Sequence, residues 1–299
     1  VHVVTQTIQT PFQVELDIRR EDLIHPVVSG NKYRKLKYNL ESALAGGYQS
    51  ILTLGGPHSN HVAATAYATR QAGLESIGVI RGEEWEIKWQ ESPTLSFAHQ
   101  CGMELRFVSR EEYRDRSAPA FLESLMRNVP GAFFLPEGGT NELAVEGCRE
   151  IMGADDQKYD IVCCAVGTGG TIAGISRALA PHQKVLGFPA VKGDFLKEDI
   201  RKFATADNWE LVNGYEFGGY ARTDARLIAF INAFYDETGI PLDPIYTGKM
   251  VFGVMKEIAI GRFRGKTRIL MVHTGGLQGI KAMNDRLSKL KRPIIDIHV

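Results

Sequence analysis

Lys32 stands in the segment Ser29-Gly30-Asn31-Lys32-Tyr33-Arg34-Lys35-Leu36, after a flexible Gly-Asn turn and ahead of a predicted helix. A lysine amine becomes a nucleophile when burial or neighbouring cations lower its pKa, and Arg34 and Lys35 are such neighbours along the sequence. Taken alone, the segment reads more simply as a solvated basic helix start, because lysines are mostly exposed. The case for chemistry therefore rests on what else the chain offers.

Four apolar runs end in small, polar, glycine-rich turns. They are Gly55-Gly56-Pro57-His58-Ser59-Asn60, Gly138-Gly139-Thr140, Gly167-Thr168-Gly169-Gly170-Thr171 and His273-Thr274-Gly275-Gly276. Glycines let backbone amides approach a ligand closely, and a helix N-terminus adds a partial positive charge suited to phosphate. Any one turn could be only a helix entry; the set points to a sizeable anionic ligand at the carboxyl ends of the strands.

The segment Gly167 to Gly174 is the best phosphate candidate. It is a poor dinucleotide fingerprint, because the third glycine of GxGxxG falls at Ile172 and no acidic residue closes the next strand; Asp194 is near the right distance but beyond that strand. It also lacks the Gly-Lys-Ser or Gly-Lys-Thr of a nucleotide-binding P-loop. A monophosphate is preferred.

The elements that must position these residues are read from periodicity. Short β-rich apolar runs at 50–54, 76–80, 104–108, 132–135, 161–166, 185–191 and 269–272 alternate with amphipathic stretches at 35–45, 61–71, 92–100, 118–125, 141–152, 172–179, 224–238 and 252–260. That alternation predicts an α/β fold of parallel βαβ units. A chain of 299 residues has room for one large domain or two packed ones.

Composition narrows the partners. The 35 acidic and 35 basic side chains balance, which gives no basic footprint for nucleic acid and none for a membrane surface. No apolar run reaches the roughly 18 residues of a membrane helix. Cys101, Cys148, Cys163 and Cys164 lack CxxC spacing and read as buried thiols of a reducing compartment, so a cytoplasmic location is expected. His58 and His61 have no third ligand at a supporting spacing, so no metal is expected. Ser59 is not in a GxSxG elbow. Trp85, Trp89 and Trp209 are scattered and read as packing.

The segments SGNKYRKLKYNL, LGGPHSNHVAATA, VGTGGTIAG, DPIYTGKMVFGV and HTGG occur in order between residues 10 and 280. Together they resemble the D-cysteine desulfhydrase and 1-aminocyclopropane-1-carboxylate deaminase family, a branch of the tryptophan-synthase-like, fold-type II enzymes that use pyridoxal 5'-phosphate. The resemblance implies that Lys32 holds the cofactor as a Schiff base. It implies that Gly167, Thr168, Gly169, Gly170 and Thr171 hold the phosphate, and that Ser59, Asn60 and His61 bind the substrate carboxylate, with Asn60 also touching the cofactor. Tyr246 and, before it, Tyr220 would face the substrate.

Two departures shape the functional expectation. The family commonly has Gly-Gly-Ile-Gln-Ser-Asn where this chain has Gly55-Gly56-Pro57-His58-Ser59-Asn60, so His58 would alter the carboxylate pocket. Thr247 follows Tyr246 where the cyclopropane deaminases resemble one another in having a glutamate near the pyridine nitrogen. A hydroxyl favours a less protonated ring and a weaker electron sink. That suits a substrate with a good leaving group, such as D-cysteine, eliminated to pyruvate, ammonia and sulfide. Lys32 would take the α-proton, with Ser59 or Tyr246 steering protons.

By the same resemblance the fold is two open, twisted, mostly parallel sheets in the arrangement of the tryptophan synthase β-subunit. A large domain of residues 1–35 and 141–299 would carry a small inserted domain of residues 36–140, with the active site in the cleft between them. A homodimer is expected. The alternatives are a 1-aminocyclopropane-1-carboxylate deaminase, a diverged binding homologue without turnover, and a nucleotide-dependent oxidoreductase.

Overall fold

The computed structural model describes residues 3–193 and 195–297; Asp194, weighed above as an acidic partner for a dinucleotide, lies outside them. In chain order the elements are β1 (Thr5–Ile8), β2 (Glu15–Arg19), α1 (Asn31–Ala45), β3 (Ser50–Gly55), α2 (Asn60–Gln71), β4 (Glu75–Arg81), α3 (Pro93–Gln100), β5 (Glu104–Val108), α4 (Pro119–Arg127) and β6 (Ala132–Leu135). They continue with α5 (Glu142–Arg149), β7 (Ile161–Val166), α6 (Gly170–Ala178), β8 (Lys184–Pro189), α7 (Phe195–Arg201), β9 (Trp209–Leu211), α8 (Ala225–Thr238), α9 (Thr247–Ala259), β10 (Arg268–Val272) and α10 (Gly279–Lys289). The chain divides into two compact units, Val1–Arg34 with Val145–Val299, and Lys35–Ala144.

The first unit is built on a six-stranded sheet in the order β1-β2-β10-β7-β8-β9. Only β1 and β2 pair antiparallel; β2 with β10, β10 with β7, β7 with β8 and β8 with β9 are parallel. β7 reads IVCCAV and is buried along nearly its whole length, as befits a parallel strand covered on both faces. On one side Cys163, Leu186, Phe188 and Met271 pack with Val251, Val254 and Ile258 of α9; on the other, Cys164, Val166 and Val185 pack with Ile172 and Ile175 of α6. Each such side chain taken fully from water is worth roughly 1.5–3 kcal/mol.

The second unit holds a four-stranded, all-parallel sheet in the order β5-β4-β3-β6. β3 and β4 are its buried centre, with Leu52, Leu54, Ile77 and Val79 packing on one side and Val62 and Ala66 of α2 joining Ile80 on the other. The expected α/β class with two mostly parallel sheets is thus what the chain forms. All four cysteines are free and buried. No helix among the described residues is long and apolar enough to cross a membrane.

Two helices, α1 and α9, begin at least a full turn earlier than the periodicity predicts. α1 starts at Asn31 rather than at 35, so Lys32 lies inside its first turn rather than ahead of it. α9 starts at Thr247 rather than at 252. In both cases the entry is fixed by tertiary partners, described below, and not by the apolar stripe.

Candidate active site

In the first unit the residues singled out from the sequence converge on the carboxyl ends of β7 and β10. Gly30 is left-handed at φ 61°, and a Cβ there would stand 2.0 Å from the Thr274 carbonyl oxygen, so only glycine allows this crossing of two backbones. The Asn31 amide donates to the same carbonyl at 3.3 Å, and its side-chain Nδ2 donates to Thr171 Oγ1 at 2.9 Å. Asn31 thereby ties the turn that carries Lys32 to the glycine-rich loop after β7. The sequence reading passed over it, although an asparagine after a glycine at a helix start is a recognisable capping signal.

Arg34 does not act as a bare cation beside Lys32, contrary to the expectation above. Its guanidinium donates from Nε and Nη2 to the two carboxylate oxygens of the fully buried Glu21, at 2.9 and 3.0 Å. Burial works against the Arg34 charge, but the hydrogen bond and charge of Glu21 outweigh it and hold its pKa above the ordinary arginine value. Lys35 donates to Gly138 O at 3.1 Å and Thr140 Oγ1 at 2.8 Å within the second unit. The motif's two flanking charges are structural anchors.

From β7 the chain turns through Gly167-Thr168-Gly169 into α6. Gly169 is left-handed at φ 83° with its Cα against Ile200, where a Cβ would fall 2.7 Å from Cγ1. The N-cap residue, Gly169, supplies no side-chain cap, and the first α-helical bond runs from Ala173 N to Gly169 O. The first-turn amides are therefore presented at the positive end of the helix dipole.

Tyr246 packs on this loop: a Cβ on Gly167 would lie 3.1 Å from its Cε1. Its backbone is set by Asp243, a fully buried carboxylate that accepts from Ile245 N and Tyr246 N at 2.9 Å and from Thr247 N at 2.7 Å. That bracket, four residues ahead of the helix, starts α9 at Thr247. The Thr247 side chain is fully buried and its Oγ1 has no hydrogen-bond partner. A hydroxyl in that state costs about 1–3 kcal/mol, which is hard to understand unless a ligand answers it. The rings of Tyr246 and the half-exposed Tyr220 meet edge to face, with centroids 6.1 Å apart.

Lys249, one helical step on, was also missed. It is 1% exposed, and its ammonium donates to Glu216 O and Gly219 O, both at 2.8 Å. Burial lowers its pKa to about 8 against the opposing charges of Asp243 and Glu216. The two carbonyls belong to the strained loop around Tyr220, where Phe217, Gly218, Gly219 and Ala221 all have positive φ.

In the second unit, β3 turns through Gly55 to Ser59 into α2. Ser59 N donates to Gly56 O at 3.1 Å, and Ser59 Oγ caps α2 by accepting from Val62 N at 3.4 Å. Asn60 is the first helical residue. The His61 ring turns inward and is 2% exposed; its Nε2 lies 2.8 Å from Thr53 Oγ1, which donates onward to Leu135 O. The exposed His58 stands edge-on to Trp85 at 5.4 Å. A third missed residue, Arg81, closes β4 beside this turn: its Nη2 would be 3.5 Å from a Cβ on Gly56, and its Nε is buried without a partner. A charged residue ending an apolar strand at the ligand-binding edge was the available signal.

A family model described as a pyridoxal-phosphate dependent enzyme matches residues 5–275. The chain belongs to this family of pyridoxal-phosphate-dependent enzymes. Within it, the chain is 32% identical to a putative 1-aminocyclopropane-1-carboxylate deaminase of Thermotoga maritima, over 90% of this chain and 91% of that one. It is 31% identical to a mitochondrial bifunctional D-cysteine desulfhydrase/1-aminocyclopropane-1-carboxylate deaminase of Arabidopsis thaliana, over 94% of this chain and 77% of the relative. A solved structure described as an ACC deaminase homologue superposes with a TM-score of 0.80 at 26% identity, covering 97% of this chain and 94% of the other. The family resemblance, the fold-type II arrangement, the cofactor and the assignment as a lyase of this group are thereby established.

The first unit's residues fit pyridoxal phosphate. A glycine-led helix start suits its phosphate, a lysine stands one residue from the side chain tied to that loop, and a buried hydroxyl lacks a partner in the same unit.

Proposed function

We propose that this lyase acts on D-cysteine, converting it with water to pyruvate, ammonia and hydrogen sulfide. The observation that carries the reading is the buried, unpartnered hydroxyl of Thr247 at the entry to α9, next to Tyr246. Were this hydroxyl to meet the ring nitrogen of bound pyridoxal phosphate, as the resemblance implies, it would leave that ring less protonated than a carboxylate would, which suits a substrate whose thiol departs readily. Opening a cyclopropane ring demands more.

When bound, pyridoxal phosphate withdraws electrons from the α-carbon of the amino acid. The chain's own residues do the rest. Lys32 would hold the cofactor and, with its amine free, would take the α-proton at Nζ. The backbone amides of Gly167 to Thr171 bind the phosphate. Ser59 and Asn60 take the substrate carboxylate, and His61 fixes their turn through Thr53. Tyr246, with Tyr220 against its ring, moves protons at its hydroxyl. A homodimer working in the cytoplasm goes with this reading, and sedimentation of the purified protein checks the former.

The test is a visible spectrum of the protein with added pyridoxal phosphate, followed by pyruvate release from D-cysteine, L-cysteine, D-serine and 1-aminocyclopropane-1-carboxylate. The expected result is a band from lysine-bound cofactor, lost in Lys32→Ala, with turnover of D-cysteine. Turnover of the cyclopropane substrate alone would place the chain with the deaminases. A band without any turnover would make it a diverged binding homologue.

A further inference from the structure

Arg81 ends β4 at the carboxyl edge of the small parallel sheet, the edge at which open α/β sheets bind ligands. Its guanidinium lies on Gly56, and Gly56 O receives the Ser59 amide that closes the turn. The acids nearby are engaged elsewhere: Glu137 accepts from Tyr113 Oη and pairs with Arg116, and Glu84 pairs with Arg110 at 2.5 Å. What Arg81 touches instead is the face of Tyr113, 5.7 Å from Cζ to the ring centroid. Its Nε is buried and unbonded.

A guanidinium carries five donors and cannot shed its charge. Arg81 is half-buried, and burying its Nε–H without an acceptor is costly, so the group calls for an answering acceptor. A stacked aromatic face supplies part of that answer but leaves the in-plane donors open. Planar carboxylates and their like match those donors in pairs.

We propose that Arg81 binds an anionic group of the amino acid held at the Gly56–Ser59 turn, and so is a specificity-determining residue of this enzyme. The assignment rests on the reading of that turn as the carboxylate site. The chemistry has two sources: the α-carboxylate common to all amino acids, or a second anionic group on the side chain. Either one completes a charged pair that the protein by itself leaves open.

Calorimetric titration of the cofactor-loaded protein with D-alanine, which has one carboxylate, and D-aspartate, which has two, separates the sources. Both are measured on wild type, Arg81→Met and Arg81→Gln, with the visible cofactor band and melting temperature as the check that each variant is folded and loaded. The Gln variant keeps a neutral donor and serves where the Met variant fails that check. Weakening of both ligands by tenfold or more assigns the α-carboxylate. Weakening of D-aspartate alone, with loss of a wild-type preference for it, assigns the side-chain group. Unchanged affinities for both overturn the proposal, as does a loaded wild type that binds neither. Arg81-dependent binding without pyruvate release from D-cysteine would overturn the desulfhydrase reading and leave the Arg81 assignment standing.

Discussion

At the end of β7 the chain turns through Gly167-Thr168-Gly169 into α6, and at the end of β3 it turns through Gly55 to Ser59 into α2. Both are strand, glycine turn, helix, and both follow a buried parallel strand. They end in opposite states. α2 is capped by its own Ser59 hydroxyl, so part of its positive pole is spent inside the protein. α6 starts from a left-handed glycine that has no side chain with which to cap it, so its pole is suited to a bound anion. The glycine-led helix start is the one proposed to hold the phosphate; the serine-capped one is suited to presenting side chains.

The sharpest way to break that contrast is Gly169→Val. The new side chain must take up a left-handed backbone and meet Ile200, a strain of about 1–3 kcal/mol or a shifted loop. Equilibrium titration with pyridoxal phosphate is expected to show affinity down by roughly 10- to 100-fold. Affinity equal to wild type would mean that the amides after β7 are not the phosphate site.

Lys249→Met comes next. It removes both donors that fix the Glu216 and Gly219 carbonyls, freeing the positive-φ loop to relax and carry Tyr220 away from Tyr246. We expect kcat/KM for the turned-over amino acid to fall by about tenfold, the scale of one lost charge-assisted hydrogen bond. The stability comparison has a defined sign. Burial depresses the Lys249 pKa to about 8 in the folded protein, below the ordinary lysine value. Between those limits the unfolded chain binds more protons, so wild-type stability rises relative to the Met variant as pH climbs from 8 toward 10.5. Denaturant melts of both proteins across that window check it; a constant difference would show that the ammonium is not desolvated.

Ser59→Ala tests the other junction. Loss of the cap is worth about 1 kcal/mol, or a few degrees in the melting temperature. Cofactor affinity is expected to stay at the wild-type value while KM for the amino acid rises. If pyridoxal phosphate affinity fell instead, the two turns would not divide the ligand as proposed.

These contrasts were half legible in the sequence. The parallel βαβ alternation showed in runs such as 161–166 because strands buried on both faces are apolar throughout. The turns showed because left-handed and close-approach backbone needs glycine. β1 and β2 did not show, being short strands with polar alternate residues, β1 at the edge of the sheet and β2 next to it, and neither did the three-residue β9. The starts of α1 and α9 were misplaced because their amides are met by Thr274 O and Asp243, partners that no local stripe announces. Lys249 and Arg81 were passed over for a related reason. A cation's role is set by what faces it in space, and Lys249 is answered by carbonyls 30 and 33 residues away, whereas Arg81 is left with an unbonded Nε.

Thr247 sharpens the comparison at the smallest scale, one hydroxyl. Ser59 Oγ has a backbone partner and Thr247 Oγ1 has none. Thr247→Val keeps the shape and deletes the unsatisfied oxygen, so cofactor-free protein should be more stable than wild type by about 1 kcal/mol, the low end of that cost, and melt at a higher temperature. With pyridoxal phosphate added the order should reverse, because only the threonine gains a bond on binding and ligand linkage rewards the tighter complex. Paired melts with and without cofactor measure this directly. A valine variant stabilised equally in both conditions would mean that nothing in the bound state answers Thr247, and the argument for D-cysteine over the cyclopropane substrate would lose its support.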